Sequence, residues 1–177
     1  MAQEKRKKKF FDVEIPLIGK QTQMQAYELS ELSGRFLKHD LTRALRGKSV
    51  MLTLKVKVEN DIATTVPKKI ELMPYFLRRM IRKGTNYVED SFPTECKNAN
   101  LRIKPILVTR RKVSRAIRGE LRKKMREELI NYVKEKESEP LFDDVLKGTV
   151  QKVLSLRLKK IYPLALCEIR ILESKEK

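Results

Sequence analysis

The sequence predicts an α+β fold, with strands dominating up to Thr109 and helices filling most of the rest before a final strand. Three observations predict it. Apolar and polar residues alternate over Val50–Glu59, the period of a half-buried strand. From Val113 to Leu129 apolar residues recur every fourth position, the spacing of a helix face. Apolar residues make up 41% of the 177, enough for one domain with its own core.

The N-terminus runs Lys5, Arg6, Lys7, Lys8, Lys9, a block that no core accepts. Residues 1–20 are therefore read as a basic arm, disordered in the free protein, and residues 21–177 as a single domain. Phe11 to Lys20 reads as irregular because Pro16 and Gly19 are breakers. Strands are predicted over Gln23–Leu29 and Gly34–His39, with a turn at Asp40-Leu41-Thr42. In Val50–Glu59, Leu52, Leu54, Val56 and Val58 form the apolar face and Lys55 and Lys57 lie on the other. Asn60-Asp61 tolerates positive φ, and Ile62, Thr64 and Val66 resume the alternation, so a β-hairpin is predicted.

Leu72–Lys83 is read as a helix ending at Gly84. Two strands, Thr85–Cys96 and Leu101–Thr109, follow, with Pro93 and Pro105 marking edges or bulges. A long helix is predicted from Lys112 to about Lys136, ended by Ser138-Glu139-Pro140. A further helix spans Asp143–Lys160 and breaks near Gly148. Ala165–Glu173 is the final strand, with Cys167, Ile169 and Ile171 on one face.

Charge narrows the function. Lys and Arg number 41 against 23 Asp and Glu, a net +18. A domain with that excess repels itself unless a polyanion neutralises it. No apolar run approaches the roughly 18 residues that cross a bilayer, and no apolar stretch follows the basic N-terminus as in a signal peptide. The basic helix also lacks the Trp/Phe-rich face of a membrane-surface helix.

Catalytic constellations fail one by one. Gly47-Lys48-Ser49 resembles the end of a phosphate-binding loop, but Thr42 stands where that loop needs glycine, and a strand follows where a helix should open. His39 is the single histidine. Cys96 and Cys167 have no CxxC spacing, so they form neither a zinc site nor a disulfide framework, and read as small strand or core side chains in a reducing setting. No catalytic or metal-ligating set remains, and no cofactor or small-molecule substrate is expected.

The cation cluster after Thr109 does remain. Arg110, Arg111, Lys112, Arg115 and Arg118 continue into Arg122, Lys123 and Arg126. On a helix, Arg111, Arg115, Arg118, Arg122 and Arg126 line one stripe. These cations crowd the helix N-terminal half, where the macrodipole disfavours them, while Glu127, Glu128, Glu135 and Glu137 sit at the other end. An external polyanion accounts for that polarity. Arginine's planar fork matches phosphate, so the predicted RNA contacts are Lys5–Lys9, this cluster, and Lys55 with Lys57. Aromatic residues are only 6%, which favours phosphate and shape contacts over base stacking.

Several stretches resemble one family in order along the chain: Phe11-Asp12-Val13 with Pro16, Ile18-Gly19-Lys20, Gly34-Arg35 with Asp40-Leu41, the run Thr109–Arg118 into Arg122-Lys123-Lys124-Met125, and Ile161-Tyr162-Pro163-Leu164 before Glu168-Ile169-Arg170. They resemble the archaeal and eukaryotic small-subunit ribosomal protein family S-three-a-e, or e-S-one, in its archaeal form. The chain departs from it at Lys97-Asn98-Ala99-Asn100, where the family's Asp-Gly-Tyr turn is missing, and in a shortened segment around Thr65–Lys83. The resemblance implies a barrel-like, mainly antiparallel sheet with packed C-terminal helices, and a cytoplasmic place in the small ribosomal subunit. It implies ribosomal RNA and neighbouring platform proteins as partners, messenger RNA near the exit as a further candidate, and no catalysis. The alternatives are a non-ribosomal RNA-binding factor associated with translation and an RNA-modifying enzyme.

Overall fold

The computed structural model describes residues 7–45 and 47–175. Among these residues it contains nine strands and four α-helices in one mostly antiparallel sheet with packed helices. The fold is α+β, and the sheet stays open.

The first two strands are β1 (Lys9–Ile15) and β2 (Lys20–Ala26), antiparallel with Val13 opposite Thr22. The irregular reading of Phe11–Lys20 is thereby corrected. Pro16 and Gly19 break only the turn, where Gly19 takes φ +65 and donates its N–H to the Ile15 carbonyl at 3.0 Å. Before it, Val13 and Ile15 are buried between exposed Asp12 and Glu14, an ordinary half-buried alternation. β2 also lies closer to the turn than Gln23–Leu29, because Leu29–Leu32 is a short 3-10 helix.

Strand β3 (Phe36–Asp40) precedes the hairpin of β4 (Val50–Glu59) and β5 (Ile62–Leu72). The Asp40 carboxylate closes the predicted turn by accepting from the Thr42 N–H at 2.7 Å. The Thr42 hydroxyl, which donates to the same oxygen, and then that N–H bond hold it below the usual aspartate range. Asn60 and Asp61 take φ 49 and 59, the left-handed pair of a two-residue hairpin turn. This turn overturns the expected face of β5. It pairs Glu59 with Ile62, so buried Val56 faces Thr65 and Val58 faces Ala63. Ala63, Thr65 and Pro67 are buried, and Ile62 is 55% exposed. Thr53 then pairs with Lys69 and Leu54 with Pro67. Lys68 is the extra residue of a bulge, which returns Ile70 and Leu72 to the core side.

Helix α1 (Pro74–Met80) is shorter than the predicted Leu72–Lys83. Leu72 still belongs to β5, and Pro74 suits the first helical position, which needs no N–H. The predicted strand Thr85–Cys96 divides at Asp90-Ser91 into β6 (Tyr87–Glu89) and β7 (Phe92–Glu95), both paired with β8 (Asn100–Thr109). Pro93 lies on the edge strand β7, and Pro105 adjoins a register shift, as their lack of an N–H requires.

Helix α2 (Arg115–Lys134) buries Leu121, Met125, Leu129 and Val133. Ser138-Glu139-Pro140 does not merely end it. These residues open α3 (Ser138–Lys147), since proline fits a helix first turn. Gly148, at φ +77, separates α3 from α4 (Thr149–Leu158), the predicted break. The last strand, β9 (Leu164–Lys175), lies between β5 and β8. Its partners step from Lys104↔Ile171 to Pro105↔Ile169, leaving Arg170 as a bulge. Ile169 and Leu172 therefore join the main core while Ile171 does not, which corrects the single-face reading.

The sheet runs β2-β1-β5-β9-β8-β6. One edge of β5 takes β4 along its whole length. The opposite edge takes β1, in parallel, at Ala63–Thr64 and β9 at Lys69–Glu71. Two cores follow from this fork. The larger gathers sheet residues such as Leu52 and Phe92 with Leu121, Phe142 and Leu158 from the helices. The smaller joins Val13, Ala26, Leu32, Val56 and Ala63 under the N-terminal hairpin. Cys96 is buried, and Cys167 is half-buried on β9, where burial and then Glu168 push its thiol up to about 12.

Helices α2 and α3 are clasped by Lys136, Asp144 and Tyr132. The Tyr132 hydroxyl donates to Asp144 Oδ2 at 3.0 Å, and the Lys136 ammonium bonds both. Burial pulls the Asp144 carboxyl up, but the bonds from Lys136 and Tyr132 outweigh it, and the net shift is downward from 3.8. Lys136 shifts upward from 10.5, first through Asp144 and then Tyr132. A depressed carboxyl stabilises the fold above its ordinary pKa and stops doing so as pH falls through the folded value. The raised lysine stabilises it below 10.5, and that is lost as pH rises through the raised value. Asp144→Asn is expected to lower stability at neutral pH and to flatten both limbs of a pH series of urea melts. Parallel parent and variant curves would contradict this.

Candidate nucleic-acid interface

The cations after Thr109 are presented by a braced bend. Thr109 is fully buried at the end of β8. Its N–H donates to the Asn86 carbonyl at 2.8 Å, and its hydroxyl accepts from the Asn86 N–H at 3.0 Å. The same hydroxyl donates to the Arg111 carbonyl at 2.8 Å, and Asn86 Oδ1 accepts from the Val113 N–H at 2.8 Å. Both ends of the bend are thus pinned to one asparagine. Ser114 then caps α2, its hydroxyl accepting from the Ile117 N–H at 3.4 Å.

Arg110, Arg111 and Lys112 are exposed on this bend, and Arg115 is exposed in the first helical turn. That turn holds no acid. Helix N–H groups and cations converge there, an arrangement suited to phosphate. Removing the brace should loosen it: Thr109→Val is expected to cost about 1–3 kcal/mol by stranding buried polar groups. A denaturant melt unchanged from the parent would contradict this.

The stripe itself is differently composed from the one expected. Arg111 is not on the helix, because Ser114 caps it and the helical turns begin at Arg115. Arg118 is half-buried, with Nε enclosed and lacking a hydrogen-bond partner among the described residues. Arg122 Nε donates to the Glu89 carbonyl at 3.2 Å, and the Arg126 guanidinium lies 5.2 Å from the Phe92 ring centre. Arg122 and Arg126 thus each make a contact that helps dock α2 on β6 and β7, although both are exposed, as is Lys123.

The acids at the far end also have internal uses. Glu128 bonds Arg157 of α4 and Lys124. Burial raises its carboxyl, but these two bonds outweigh burial and lower it overall. Glu137 occupies the N-cap position of α3 without a side-chain capping bond, where the macrodipole favours an acid. The helix polarity is thus partly explained from within. Among the exposed cations of the cluster Arg110, Arg111, Lys112, Arg115 and Lys123 make no side-chain bond to the described residues, whereas Arg122 and Arg126 do make contacts.

Of the N-terminal block, Lys5 and Arg6 lie outside the described residues. Lys7, Lys8 and Lys9 are exposed, Lys9 begins β1, and the Lys8 ammonium sits 5.7 Å from the Tyr27 ring centre. Lys57 is exposed and Lys55 half-buried on β4, facing away from the core. The fold does not merge these groups with the bend: they stand on β1 and β4, the bend at the β8–α2 junction. Sequence reasoning passed over Asn86 and Thr109, whose role rests on a contact between distant segments and leaves no local signal. It also passed over Phe36, Lys38, Lys68 and Lys69, which share the Lys55 face.

Lys48, of the rejected phosphate loop, is spent on an ion pair with Glu168 at 2.7 Å. Among the described residues no three His, Cys, Asp or Glu side chains are grouped to hold a metal. No described helix is long and apolar enough to cross a membrane.

The sequence matches the profile of the Ribosomal S3Ae family over residues 2–176. It is 27% identical to the small ribosomal subunit protein eS1 of Nanoarchaeum equitans, covering 97% of this chain and 92% of that protein. With eS1 of Pyrobaculum aerophilum it shares 29% identity over 74% of this chain, spanning 60% of that relative. With eS1 of Methanothermobacter thermautotrophicus it shares 31% over 55% of this chain and 52% of the relative. With a match that runs through both cores and the braced bend, the chain belongs to the Ribosomal S3Ae family.

Proposed function

We propose that this protein is a structural, non-catalytic constituent of the small ribosomal subunit that binds ribosomal RNA during translation. The observation that carries the reading is the family match over nearly the whole chain. The braced bend gives it a physical basis: four outward cations meet a helix N-terminus at one end of the sheet. Binding is charge neutralisation with counterion release, so affinity falls steeply with salt. Lys5–Lys9 and the β4 lysines add contacts from other parts of the surface. Partners are small-subunit RNA and adjacent small-subunit proteins, in the cytoplasm.

Sedimentation tests this against a translation factor that visits ribosomes. A structural constituent pellets one-to-one with small subunits and stays through a moderate salt wash. Recovery of the chain in the free fraction, with small subunits lacking it, would count against the proposal.

A further inference from the structure

We propose that the open face of β3, β4 and β5 takes single-stranded RNA, with a base stacked on Phe36. This inference rests on the reading that the protein binds RNA, and it specifies a second surface and the form of RNA it accepts.

Strand pairing assembles that face. Phe36 of β3 lies opposite Lys55 of β4, which lies opposite Val66 of β5. One rung along, Lys38 faces Thr53 and Thr53 faces Lys69. Side chains alternate across a sheet, so these groups point away from the buried Leu52, Leu54 and Val56. The bulge on β5 adds Lys68 beside Lys69. A shallow groove results, lined by Phe36, Thr53, Lys55, Lys68, Lys69 and Glu173. The helices pack against β5, β6, β7 and β9 from the core side and leave this groove open.

The chemistry selects the occupant. Phe36 is 62% exposed within a strand, and its neighbours are cationic. Lys57 continues the basic row along β4. Among the described residues the acids nearby are Glu71, paired with Lys69 at 2.6 Å, and Glu173, and Lys55 and Lys68 also have interactions of their own. A basic groove with an exposed ring complements a polyanion that also carries flat apolar faces. Bases in a duplex are stacked away from such a ring, whereas a single strand can lay one on it and run its phosphates past the lysines. The overall scarcity of aromatics hid this, because one ring suffices when the sheet places it among cations.

The test uses the full chain, a short single-stranded RNA carrying a fluorescent purine analogue, and an RNA duplex. Phe36→Ala is expected to weaken single-strand binding about tenfold or more, to abolish quenching of the analogue, and to spare duplex binding. Phe36→Tyr should retain both signals. The ring is exposed, so thermal melts of the three proteins should coincide. Single-strand affinity and quenching unchanged in Phe36→Ala would overturn the platform while leaving the braced bend untouched. A parent that binds duplex but not single strand would do the same. A parent that binds neither would overturn RNA binding altogether. If Phe36→Ala impaired only small-subunit association, the face would be a protein contact and the inference wrong.

Discussion

Reversing Arg110, Arg111, Lys112 and Arg115 together to glutamate is expected to release the protein from small subunits without unfolding it. All four are exposed. None of their side chains makes a hydrogen bond or ion pair among the described residues, so the fold loses no partner. Arg115→Glu even places an acid in a first helical turn that has none, where the macrodipole favours it by about 0.3–1 kcal/mol. Melting should therefore be unchanged or slightly raised. Binding should behave in the opposite way. Each phosphate contact contributes roughly 0.7–0.9 to the slope of log affinity against log salt, so losing four flattens it by about 3. Reversal adds repulsion to that loss. Sedimentation across a salt series, with calorimetry of the same preparation, measures both. A folded variant that stays with small subunits at the parent's salt dependence would remove the bend from the interface.

The largest effect on stability is expected at Phe92. Its ring is fully buried on β7 opposite Ile103, and it carries the Arg126 guanidinium of α2. Phe92→Ala removes core volume and also the surface on which α2 rests. Loss of a buried phenyl costs about 3–5 kcal/mol. In a chain of this size that corresponds to a melting temperature lower by roughly 10 °C. Phe92→Leu refills much of the space and should cost less than half as much. Because α2 begins at the basic bend, the alanine variant should also bind RNA more weakly near its lowered melting temperature. Equal melting of parent and alanine variant would mean the α2–β7 seam contributes little.

The strands with strict alternation were legible from the sequence, β4 above all. The face of β5 was recoverable too: a two-residue turn after Glu59 makes Ile62 its partner, so Ala63 must follow Val58 inward. Ile62 and Val66 are the larger apolar residues, so apolar size points to the opposite face. β1 was hidden by Pro16 and Gly19, which signal a break but not its extent. Pro140 misled for a related reason, since proline can open a helix as well as follow one. The bulges at Lys68 and Arg170 depend on how two distant strands fit together, and no local pattern encodes them. At the interface, composition and spacing exposed the cations. They did not separate Arg122 and Arg126, exposed but in contact with β6 and β7, from Arg110 and Arg115, which make no such contact. That distinction depends on where β6 and β7 lie.

The forked edge of β5 has a consequence for synthesis. β9 is the last of the described strands, yet it occupies the middle of the sheet, between β5 and β8. Until Leu164–Lys175 has left the translating ribosome, β5 and β8 each present an unfilled edge, the kind that invites pairing with other chains. Synthesis proceeds at about 5–20 residues per second, so the nascent chain carries those edges for several seconds before the sheet can be completed. Local segments such as the β4–β5 hairpin can form early. The joining of the two halves of the sheet is necessarily late, and a nascent chain halted before β9 should be selectively prone to aggregate.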